Sequence, residues 1–280
     1  MGLWYTEKHR LGFGITYKIK RTLADEQTEF QKLELVDTEA FGRMLLLDGL
    51  VMTTVFDEFI YHEMITHPPL CTHPNPRRVL VIGGGDGGTV REVLRHPSVE
   101  SVELCEIDRR VVEVCREYLP ETSCGLSDPR VSIVYADGIE YVKNAEAKYD
   151  CIIVDSTDPI GPAVGLFSLD FYKSIYRALT DDGVFSAQTE SPLAEPDFVR
   201  KVTHEIGSVF PVCGLYTAAI QTYPGALWSF TIGSKRCHPV NDAREVPELK
   251  GCRHYHYGLH RAMFDAVPKF ARELLPDSFV

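Results

Sequence analysis

Residues 79–88, VLVIGGGDGG, decide the fold of this chain. The first four are apolar and three of them are β-branched, which predicts a buried parallel strand. The next six are five glycines and Asp86, and residues 89–96 have the pattern of a helix. A strand, a glycine turn and a helix are typical of the first unit of a doubly wound nucleotide-binding sheet.

Two acidic residues indicate what kind of ligand such a turn would bind. Asp86 places a negative charge in the glycine turn, where it would repel a pyrophosphate, so a dehydrogenase is disfavoured. Glu106 ends the next predicted strand, about twenty residues further on, where an acidic residue typically holds ribose hydroxyls. We therefore expect a ligand with a nucleoside, no pyrophosphate and a cation near Asp86, such as a sulfonium compound of the S-adenosylmethionine type.

The rest of the chain predicts a parallel sheet with helices on both faces. Predicted strands 79–82, 101–106, 131–136, 150–154 and 183–188 alternate with predicted helices 89–96, 109–118, 139–146, 169–179 and 195–209. An antiparallel hairpin over 215–222 and 227–232 adds to the sheet edge, and a helix over 260–275 closes the chain. The predicted fold class is α/β, with a doubly wound, methyltransferase-like (Rossmann-like), mostly parallel sheet.

Residues 1–56 predict a small antiparallel β domain. Its strands cover 15–20, 30–36, 44–47 and 51–55, and Asp48–Gly49 is a favoured hairpin pair. So short a domain buries little apolar surface alone, so we expect it to pack on its neighbour or on another subunit, to assemble subunits and to form a lid over the site. Residues 57–280 would form the catalytic domain, which begins with a helix that Asp57 caps and that Pro68 and Pro69 end.

Composition narrows the class of protein. The chain has 280 residues, 44% of them hydrophobic, with 29 basic and 40 acidic residues and a net charge of −11. Nucleic acid is therefore not an expected partner, whereas a cationic substrate suits this charge. No apolar run reaches membrane length and no signal-peptide pattern is present, so we expect a cytoplasmic protein. The eight cysteines form no C-x-x-C pair and the ten histidines no metal-ligand spacing, so we expect reduced thiols and no metal.

Acidic residues follow the carboxyl ends of four successive predicted strands. They are Asp86, then Glu106 and Asp108, then Asp137 followed by Gly138, and finally the stretch 155–159, DSTDP. Since these strand ends meet at one edge of a parallel sheet, they predict a functional site there. Asp155 and Asp158 are three residues apart and suit binding a diamine and removing a proton from it. Residues 159–167 hold two prolines and two glycines, which predicts a lid loop.

Five stretches carry a resemblance to a known family. They are FGRMLLLDG at 41–49, DEFIYHEM at 57–64, HPNPRRVLVIGGGDGG at 73–88, DSTDPIGPA at 155–163 and QTYPG at 221–225. Together they resemble the spermidine synthase, or polyamine aminopropyltransferase, family over nearly the whole chain. One departure is Gly225, where the family often has serine. Tyr223 is retained, so we expect the active site to be undisturbed.

The resemblance implies a reaction and the residues that perform it. Decarboxylated S-adenosylmethionine, a co-substrate, would donate its aminopropyl group to putrescine, giving spermidine and 5'-methylthioadenosine, without a further cofactor. Asp155 would be the general base and Asp158 would bind the far amine of putrescine. The other implied residues are Asp86 and His62 for the aminopropyl or polyamine portion, Tyr61 and Tyr223 for the attacking amine, and Gln31, Glu106, Asp137, Gly138 and Pro162 for the nucleoside. A homodimer or homotetramer is expected.

Two other functions remain open at this point. One is a methyltransferase of the same fold that uses S-adenosylmethionine itself, similar to a putrescine N-methyltransferase. Asp86 and the intact DSTDP stretch argue against it. The other is a non-catalytic polyamine-binding protein, which would have no need of a base. The sequence does not discriminate among putrescine, cadaverine, agmatine and spermidine as the acceptor.

Overall fold

The computed structural model of this chain describes residues 2–9, 11–159 and 161–280, without the side chain of Pro162. Its strands form a five-stranded sheet at the N-terminus and a seven-stranded sheet in the rest of the chain. The seven-stranded sheet is mostly parallel, with an antiparallel hairpin at one edge. The predicted fold class is therefore confirmed.

The N-terminal sheet is an antiparallel meander. Its strands are β1 (Leu3–Lys8), β2 (Gly14–Gln27), β3 (Lys32–Thr38), β4 (Arg43–Leu47) and β5 (Leu50–Thr54), and each pairs with the next. The sequence had not predicted β1, and β2 is longer than the predicted strand. Asp48 and Gly49, the predicted hairpin pair, connect β4 and β5 with positive φ angles of 50° and 79°.

The larger sheet has the strand order β11-β12-β10-β9-β6-β7-β8. Its strands are β6 (Arg78–Gly83), β7 (Ser101–Glu106), β8 (Val131–Tyr135), β9 (Tyr149–Asp155), β10 (Leu179–Gln188), β11 (Val212–Ala219) and β12 (Leu227–Ser234). The helices are α1 (Glu58–Thr72), α2 (Gly88–Val93), α3 (Arg109–Tyr118), α4 (Pro120–Ser123), α5 (Gly138–Lys143), α6 (Leu169–Ala178), α7 (Pro196–Val209), α8 (Tyr257–Met263) and α9 (Lys269–Arg272). Three short 3-10 helices cover Cys124–Ser127, Gly161–Phe167 and Pro247–Gly251.

The N-terminal sheet packs on α3. Leu33, Leu35 and Leu45 of the sheet share one apolar cluster with Val111 and Val114 of the helix. Full burial of each such side chain stabilises the fold by ~1.5–3 kcal/mol. This cluster places the N-terminal sheet beside the carboxyl edge of the larger sheet.

Helix α1 corrects one prediction, because it continues through Pro68 and Pro69 instead of ending there. A proline at position 68 has no N–H to donate to the carbonyl of Met64, four residues earlier. The Tyr216 hydroxyl, from β11, donates to that carbonyl at a distance of 2.8 Å. A distant side chain therefore supplies the missing hydrogen bond, which local sequence patterns do not reveal.

The predicted cap of α1 is also wrong. Within the described part of the chain, the Asp57 side chain caps no N–H group of this helix. Its Oδ2 accepts from the Thr222 N–H at 2.9 Å, and its Oδ1 accepts from the Thr54 hydroxyl at 2.8 Å. Asp57 thus ties the end of β5 to the loop of the β11–β12 hairpin.

The predicted closing helix over 260–275 is two short helices, α8 and α9. Pro268 lies between them and is the N-cap residue of α9. A proline in the middle of the predicted helix removes a backbone donor and clashes with the preceding turn, so the two helices stay separate. The Arg272 guanidinium donates to the carbonyls of Phe264 and Asp265 at 2.9 and 2.8 Å and closes the gap between them.

Candidate active site

The site lies where the strand order of the larger sheet reverses. Strand β6 has β7 on one side and β9 on the other, and Gly83 at its end is opposite Asp155 in the β9 register. Ligands of doubly wound sheets bind beyond the carboxyl ends of the strands at such a switch point. A cavity opens here between the two sheets of the protein.

The glycine turn after β6 permits a close approach of catalytic-type side chains. A Cβ atom on Gly84, whose φ is +69°, would lie 2.7 Å from Oδ2 of Asp155. A Cβ atom on Gly88 would lie 2.2 Å from Cε1 of His62. Any larger residue at either position would therefore displace the side chain that faces it.

The cavity brings together ten of the predicted site residues. They are Gln31, Tyr61, His62, Asp86, Glu106, Asp137, Gly138, Asp155, Asp158 and Tyr223. The remaining one, Pro162, belongs to the 3-10 helix Gly161–Phe167, and its side chain lies outside the described residues.

Asp155, the predicted general base, ends β9 and is 8% exposed. The Tyr61 hydroxyl donates to its Oδ1 and the Thr89 hydroxyl to its Oδ2, both at 2.7 Å. Burial and the nearby charge of Asp86 raise the pKa of Asp155, and the charge of His62 and the two hydroxyls only partly offset this effect. A carboxylate in this state is suited to accept a proton from a ligand in the cavity.

Asp86 lies in the glycine turn and is 9% exposed. The Gly88 N–H donates to its Oδ1 at 2.8 Å, and Nε2 of His62 is 3.3 Å from the same oxygen. Burial by itself would raise the pKa of Asp86, but these partners outweigh it, so the pKa is lowered. Asp86 therefore presents a fixed negative charge to the cavity.

His62 is itself held by two carboxylates. Its Nδ1 lies 2.6 Å from Oε2 of Glu58, and its Nε2 faces Asp86. Burial by itself would lower the pKa of His62, but Asp86 and Glu58 raise it to about 10. The ring is thus an imidazolium at neutral pH, in which both nitrogens donate.

Glu106 ends β7 and is held by main-chain groups. The Gly85 N–H donates to its Oε2 at 3.1 Å and the Asp108 N–H to its Oε1 at 2.9 Å. Burial and the charge of Asp108 raise the pKa of Glu106 to about 7. A buried carboxylate with its position fixed by the backbone is suited to accept hydrogen bonds from ligand hydroxyls.

Asp137 and Gly138 have local structural roles as well as their place in the cavity. The Asp137 side chain accepts from the Ile139 N–H at 2.8 Å and so caps α5. A Cβ atom on Gly138 would lie 2.3 Å from Cγ2 of Ile82, so the close packing of α5 on β6 requires glycine there.

Gln31 reaches the site from the N-terminal sheet. Its Nε2 donates to Oδ2 of Asp108 at 3.0 Å, and the Thr28 hydroxyl donates to the same oxygen at 2.7 Å. The other oxygen of Asp108 caps α3 by accepting from the Arg110 N–H. Asp108 therefore links the N-terminal sheet to the loop that also holds Glu106.

Tyr61 and Tyr223 form one wall of the cavity, with ring centroids 5.6 Å apart in an edge-to-face arrangement. The Tyr223 hydroxyl donates to the Met52 carbonyl of β5 at 2.7 Å, so this wall also contacts the N-terminal sheet. Gly225, the departure from the family pattern, has a φ of +82° that favours glycine.

Sequence reasoning missed two residues of the site. Glu7 of β1 lines the cavity at 4% exposure, and its Oε2 has no hydrogen-bond partner among the described residues. Burial and the charge of Asp158 raise the pKa of Glu7 to about 7. Thr89, the donor to Asp155, directly follows the glycine stretch, and this position was the sequence feature that could have identified it. No sequence feature pointed to Glu7, because its strand was not predicted.

One group of possible metal ligands lies in the site. Atoms of His62, Asp86 and Asp155 lie within 4.8 Å of one another. Both ring nitrogens of His62 already face carboxylates, so they act as donors and offer no lone pair to a metal. Charge-assisted hydrogen bonds link His62 to its carboxylate neighbours in this group.

A second group, His67, Glu92 and Cys252, lies behind α1 and α2. Arg91 and Arg95 bond Glu92 at 2.8 and 3.1 Å and already supply positive charge. A metal ion would have to displace these arginines, so the arrangement favours the existing network. As for membranes, no described helix is both long and apolar enough to span one.

A doubly wound sheet whose switch point holds a proton-accepting carboxylate beside a fixed anion defines an α/β enzyme that acts on a small molecule. Comparison with known sequences specifies the family. Residues 58–244 match the Spermine/spermidine synthase domain, and residues 3–54 match the Spermidine synthase tetramerisation domain. The chain belongs to the spermine/spermidine synthase family and is a transferase.

Curated relatives agree over the full length. A polyamine aminopropyltransferase of Desulforudis audaxviator is 54% identical over 270 residues, covering 96% of this chain and 98% of that protein. One of Moorella thermoacetica is 54% identical over 275 residues, covering 98% and 96%.

Solved structures are similar as well. A crystal structure of spermidine synthase in complex with the transition-state analogue AdoDATO superposes with a TM-score of 0.94 at 43% identity, covering 98% of this chain and 94% of that chain. Spermidine synthase from Thermotoga maritima gives a TM-score of 0.92 at the same identity and coverage. The family resemblance is confirmed, and the methyltransferase and binding-protein alternatives find no support here.

Proposed function

We propose that this chain transfers the aminopropyl group of decarboxylated S-adenosylmethionine to putrescine, giving spermidine and 5'-methylthioadenosine. The names of its relatives and the analogue complex of its structural neighbour support this reaction. The observation that carries the proposal is the pair Asp155 and Asp86. Both are buried in one cavity, and their pKa values shift in opposite directions.

Asp155 is the proposed general base. An alkyl ammonium has a pKa of ~10.4, so about one molecule in a few thousand is neutral at pH 7, a cost of roughly 4–5 kcal/mol. A base that takes the proton as the nitrogen attacks reduces this cost in the transition state. The raised pKa and the hydroxyls that fix both oxygens of Asp155 support this role.

The transfer is a single displacement at carbon. The amine lone pair forms a bond to the aminopropyl carbon that is attached to sulfur, and the carbon–sulfur electron pair returns to the sulfonium. Asp155 takes the proton that the substrate ammonium must lose to free this lone pair, and the products are a neutral thioether and a secondary ammonium. Because the leaving group is already neutral, alignment of nitrogen, carbon and sulfur accounts for much of the remaining catalysis.

The donor would be held by two sets of residues. Asp86, held in place by His62, would receive its cationic aminopropyl end, because Asp86 is a fixed anion. The nucleoside contacts are proposed for Gln31, Glu106, Asp137, Gly138 and Pro162. Glu106 has the strongest support among them, since its carboxylate is fixed by two N–H groups at the end of β7.

The acceptor would lie between the tyrosines and the N-terminal sheet. Tyr61 and Tyr223 would position the attacking amine beside Asp155, and Asp158 would bind the far ammonium. We add Glu7 to this far end, because it lines the same cavity and its pKa responds to the charge of Asp158. An ammonium between two carboxylates would relieve their repulsion.

A product assay tests the proposal. Decarboxylated S-adenosylmethionine is incubated with putrescine, cadaverine, agmatine or spermidine, and the amine and thioether products are identified by mass spectrometry. Spermidine and methylthioadenosine from putrescine are the expected products. A methylated amine formed from S-adenosylmethionine, or no product with any acceptor, would contradict the proposal.

We also propose that residues 1–56 assemble the protein as a homotetramer and cover the active site as a lid. Leu3, Trp4 and Leu11 are 60%, 57% and 58% exposed, and apolar surface of this kind suits a symmetric interface. The tetramerisation domain matched by residues 3–54 supports this assembly. Sedimentation at micromolar concentration is the test. A monomer would contradict the proposal, and a dimer would correct it.

A further inference from the structure

A line of alternating charges leads from the cavity into the helical layer. It begins at Asp86, passes through His62 at 3.3 Å and reaches Glu58 at 2.6 Å. The Arg91 guanidinium then donates to both oxygens of Glu58, at 3.0 and 2.9 Å. We call these four residues the charge line.

Local geometry explains the order of the charge line. Glu58 and His62 are four residues apart on α1, so their side chains lie on the same face of the helix. Arg91 lies on α2, directly after the glycine turn that carries Asp86. The side chains of His62 and Glu58 are 2% and 6% exposed, whereas that of Arg91 is 19% exposed. The line therefore runs from the interior to partial contact with solvent.

Arg91 is held in place by two further contacts. Its Nη1 donates to the Glu121 carbonyl at 2.7 Å, and its Nε donates to Oε1 of Glu92 at 2.8 Å. A guanidinium fixed at three edges can hold Glu58 in one orientation. That orientation determines where Nδ1 of His62 points, and with it the direction of Nε2 toward Asp86.

The charged groups around His62 come from four elements. Glu58 lies on α1, as His62 does. Asp86 lies in the glycine turn and Asp155 at the end of β9. Arg91, on α2, is linked to His62 through Glu58. The Tyr61 ring packs edge-on at 5.4 Å between centroids. Because three carboxylates surround the imidazolium, its charge limits the repulsion between Asp86 and Asp155.

We propose that Glu58 and Arg91 are positioning residues, which keep His62 charged and aimed at Asp86 and thereby set the preference for a donor without a carboxylate. Neither is among the described residues that line the cavity. Loss of Arg91 would leave Glu58 with His62 as its one cationic partner among the described residues, so Glu58 would take a proton more readily. His62 would then lose one of its two anions, and Asp86 and Asp155 would compete for a proton.

Kinetics with Arg91→Gln test this role. We expect the KM for decarboxylated S-adenosylmethionine to rise about fivefold, because Nε2 of His62 is no longer held toward Asp86, a change equivalent to the loss of about one hydrogen bond. The preference of this variant for the decarboxylated donor over S-adenosylmethionine should be smaller than that of the wild type. The acid limb of its kcat/KM profile should lie at higher pH. Arg91→Lys, which keeps the charge but not the bidentate contact, should restore part of each effect.

Arg95→Gln is the matched control. Arg95 donates to Glu92 as Arg91 does, but among the described residues its other hydrogen bonds go to Cys252 and Gly251 and not to Glu58. We expect its donor preference and acid limb to match the wild type. Equal changes in both variants, or lower activity in Arg91→Gln without a change in either property, would mean that Arg91 is only structural and would overturn the proposal.

Nitrogen NMR of the histidine rings tests the charge line independently of catalysis. The inference rests on the proposed function only in its kinetic arm. In the wild type we expect both ring nitrogens of His62 to be protonated at pH 8, and we expect its titration in Arg91→Gln to move down by about one pH unit. A neutral His62 ring at pH 8 in the wild type would overturn the inference even if spermidine is formed. Absence of spermidine with a charged His62 would refute the proposed function alone.

Discussion

Asp155 and Asp86 lie close together in one cavity, with carboxylate oxygens within 4.8 Å of each other, and they are almost equally buried, at 8% and 9% exposed. Asp155 receives hydrogen bonds from two neutral hydroxyls, those of Tyr61 and Thr89. Asp86 faces the His62 imidazolium and a main-chain N–H. The pKa of Asp155 is raised and that of Asp86 is lowered. The partners of each carboxylate, and not its depth, decide whether it can accept a proton or remains a fixed charge.

Asp155→Asn should have the largest effect, because it removes the proposed general base and keeps the shape of the side chain. We expect turnover to fall by roughly 10²–10⁴-fold. Binding of methylthioadenosine, measured by calorimetry, should change little because Glu106 remains. Asp150→Asn is the control, since Asp150 lies on the same strand and accepts from the Arg77 and Arg78 N–H groups away from the cavity. Near-normal turnover of Asp155→Asn at pH 7 would refute the base assignment.

Asp86→Asn should act chiefly on donor choice, and it should also lower the pKa of Asp155 because the charge of Asp86 is removed. S-adenosylmethionine differs from the decarboxylated donor by one carboxylate beside its amine. At ~4 Å and an effective dielectric of ~20, its repulsion by Asp86 is on the order of 4 kcal/mol before screening. Even half of this gives a preference of about thirtyfold. In calorimetric titrations, the variant should bind the decarboxylated donor more weakly than the wild type does. The ratio of its affinities for the two donors should also be smaller. An unchanged affinity ratio would mean that residues other than Asp86 discriminate between the donors.

Glu106 extends the comparison to a carboxylate held only by main-chain donors. Its pKa of about 7 lies well above that of an exposed glutamate. Ribose hydroxyls donate to the ionised form, so binding of methylthioadenosine should strengthen as the pH rises. From pH 6 to pH 8 the ionised fraction of Glu106 grows about tenfold, and the affinity for methylthioadenosine should follow it. Glu106→Gln should abolish this dependence, whereas the surface control Glu140→Gln should retain it. A wild-type affinity that is flat over this range would contradict the prediction.

Thr89→Val should have the smallest effect. Of the two carboxylates compared above, it tests the environment of Asp155. The Thr89 hydroxyl donates to the ionised carboxylate, so its loss should raise the pKa of Asp155 further. The acid limb of kcat/KM should then move up by about one pH unit. Thr203→Val is the control, because its hydroxyl bonds only helix carbonyls, those of Val199 and Arg200. Identical acid limbs of kcat/KM in Thr89→Val and Thr203→Val would show that the Thr89 hydroxyl does not affect the pKa of Asp155.

The sequence predicted the larger sheet well, for a physical reason. Buried parallel strands are short β-branched runs, and 79–82 is one of them. Acidic residues after the strands converge because carboxyl ends of parallel strands share one edge, so Asp86, Glu106 and Asp155 could be placed together before the structure. These predictions depend on local pattern and on a general rule of topology.

The features that were missed depend on distant contacts. Strand β1, which carries Glu7, has exposed apolar residues such as Leu3 and Trp4 and no clear alternation. Helix α1 continues past Pro68 because a hydroxyl from β11 replaces the lost donor. The contact between Glu58 and Arg91 joins residues 33 positions apart. Neither periodicity nor turn chemistry reports such pairings.

Asp108 has two structural roles at once, and this has a consequence for how the protein can evolve. One of its oxygens caps α3, and the other anchors Thr28 and Gln31 of the N-terminal sheet beside the nucleoside-type carboxylate Glu106. Substitutions that remodel this end of the cavity would also loosen the joint between the two sheets. Selection on this end of the cavity is therefore also selection on the joint between the two sheets, so descendants of this fold should keep Asp108 together with Glu106.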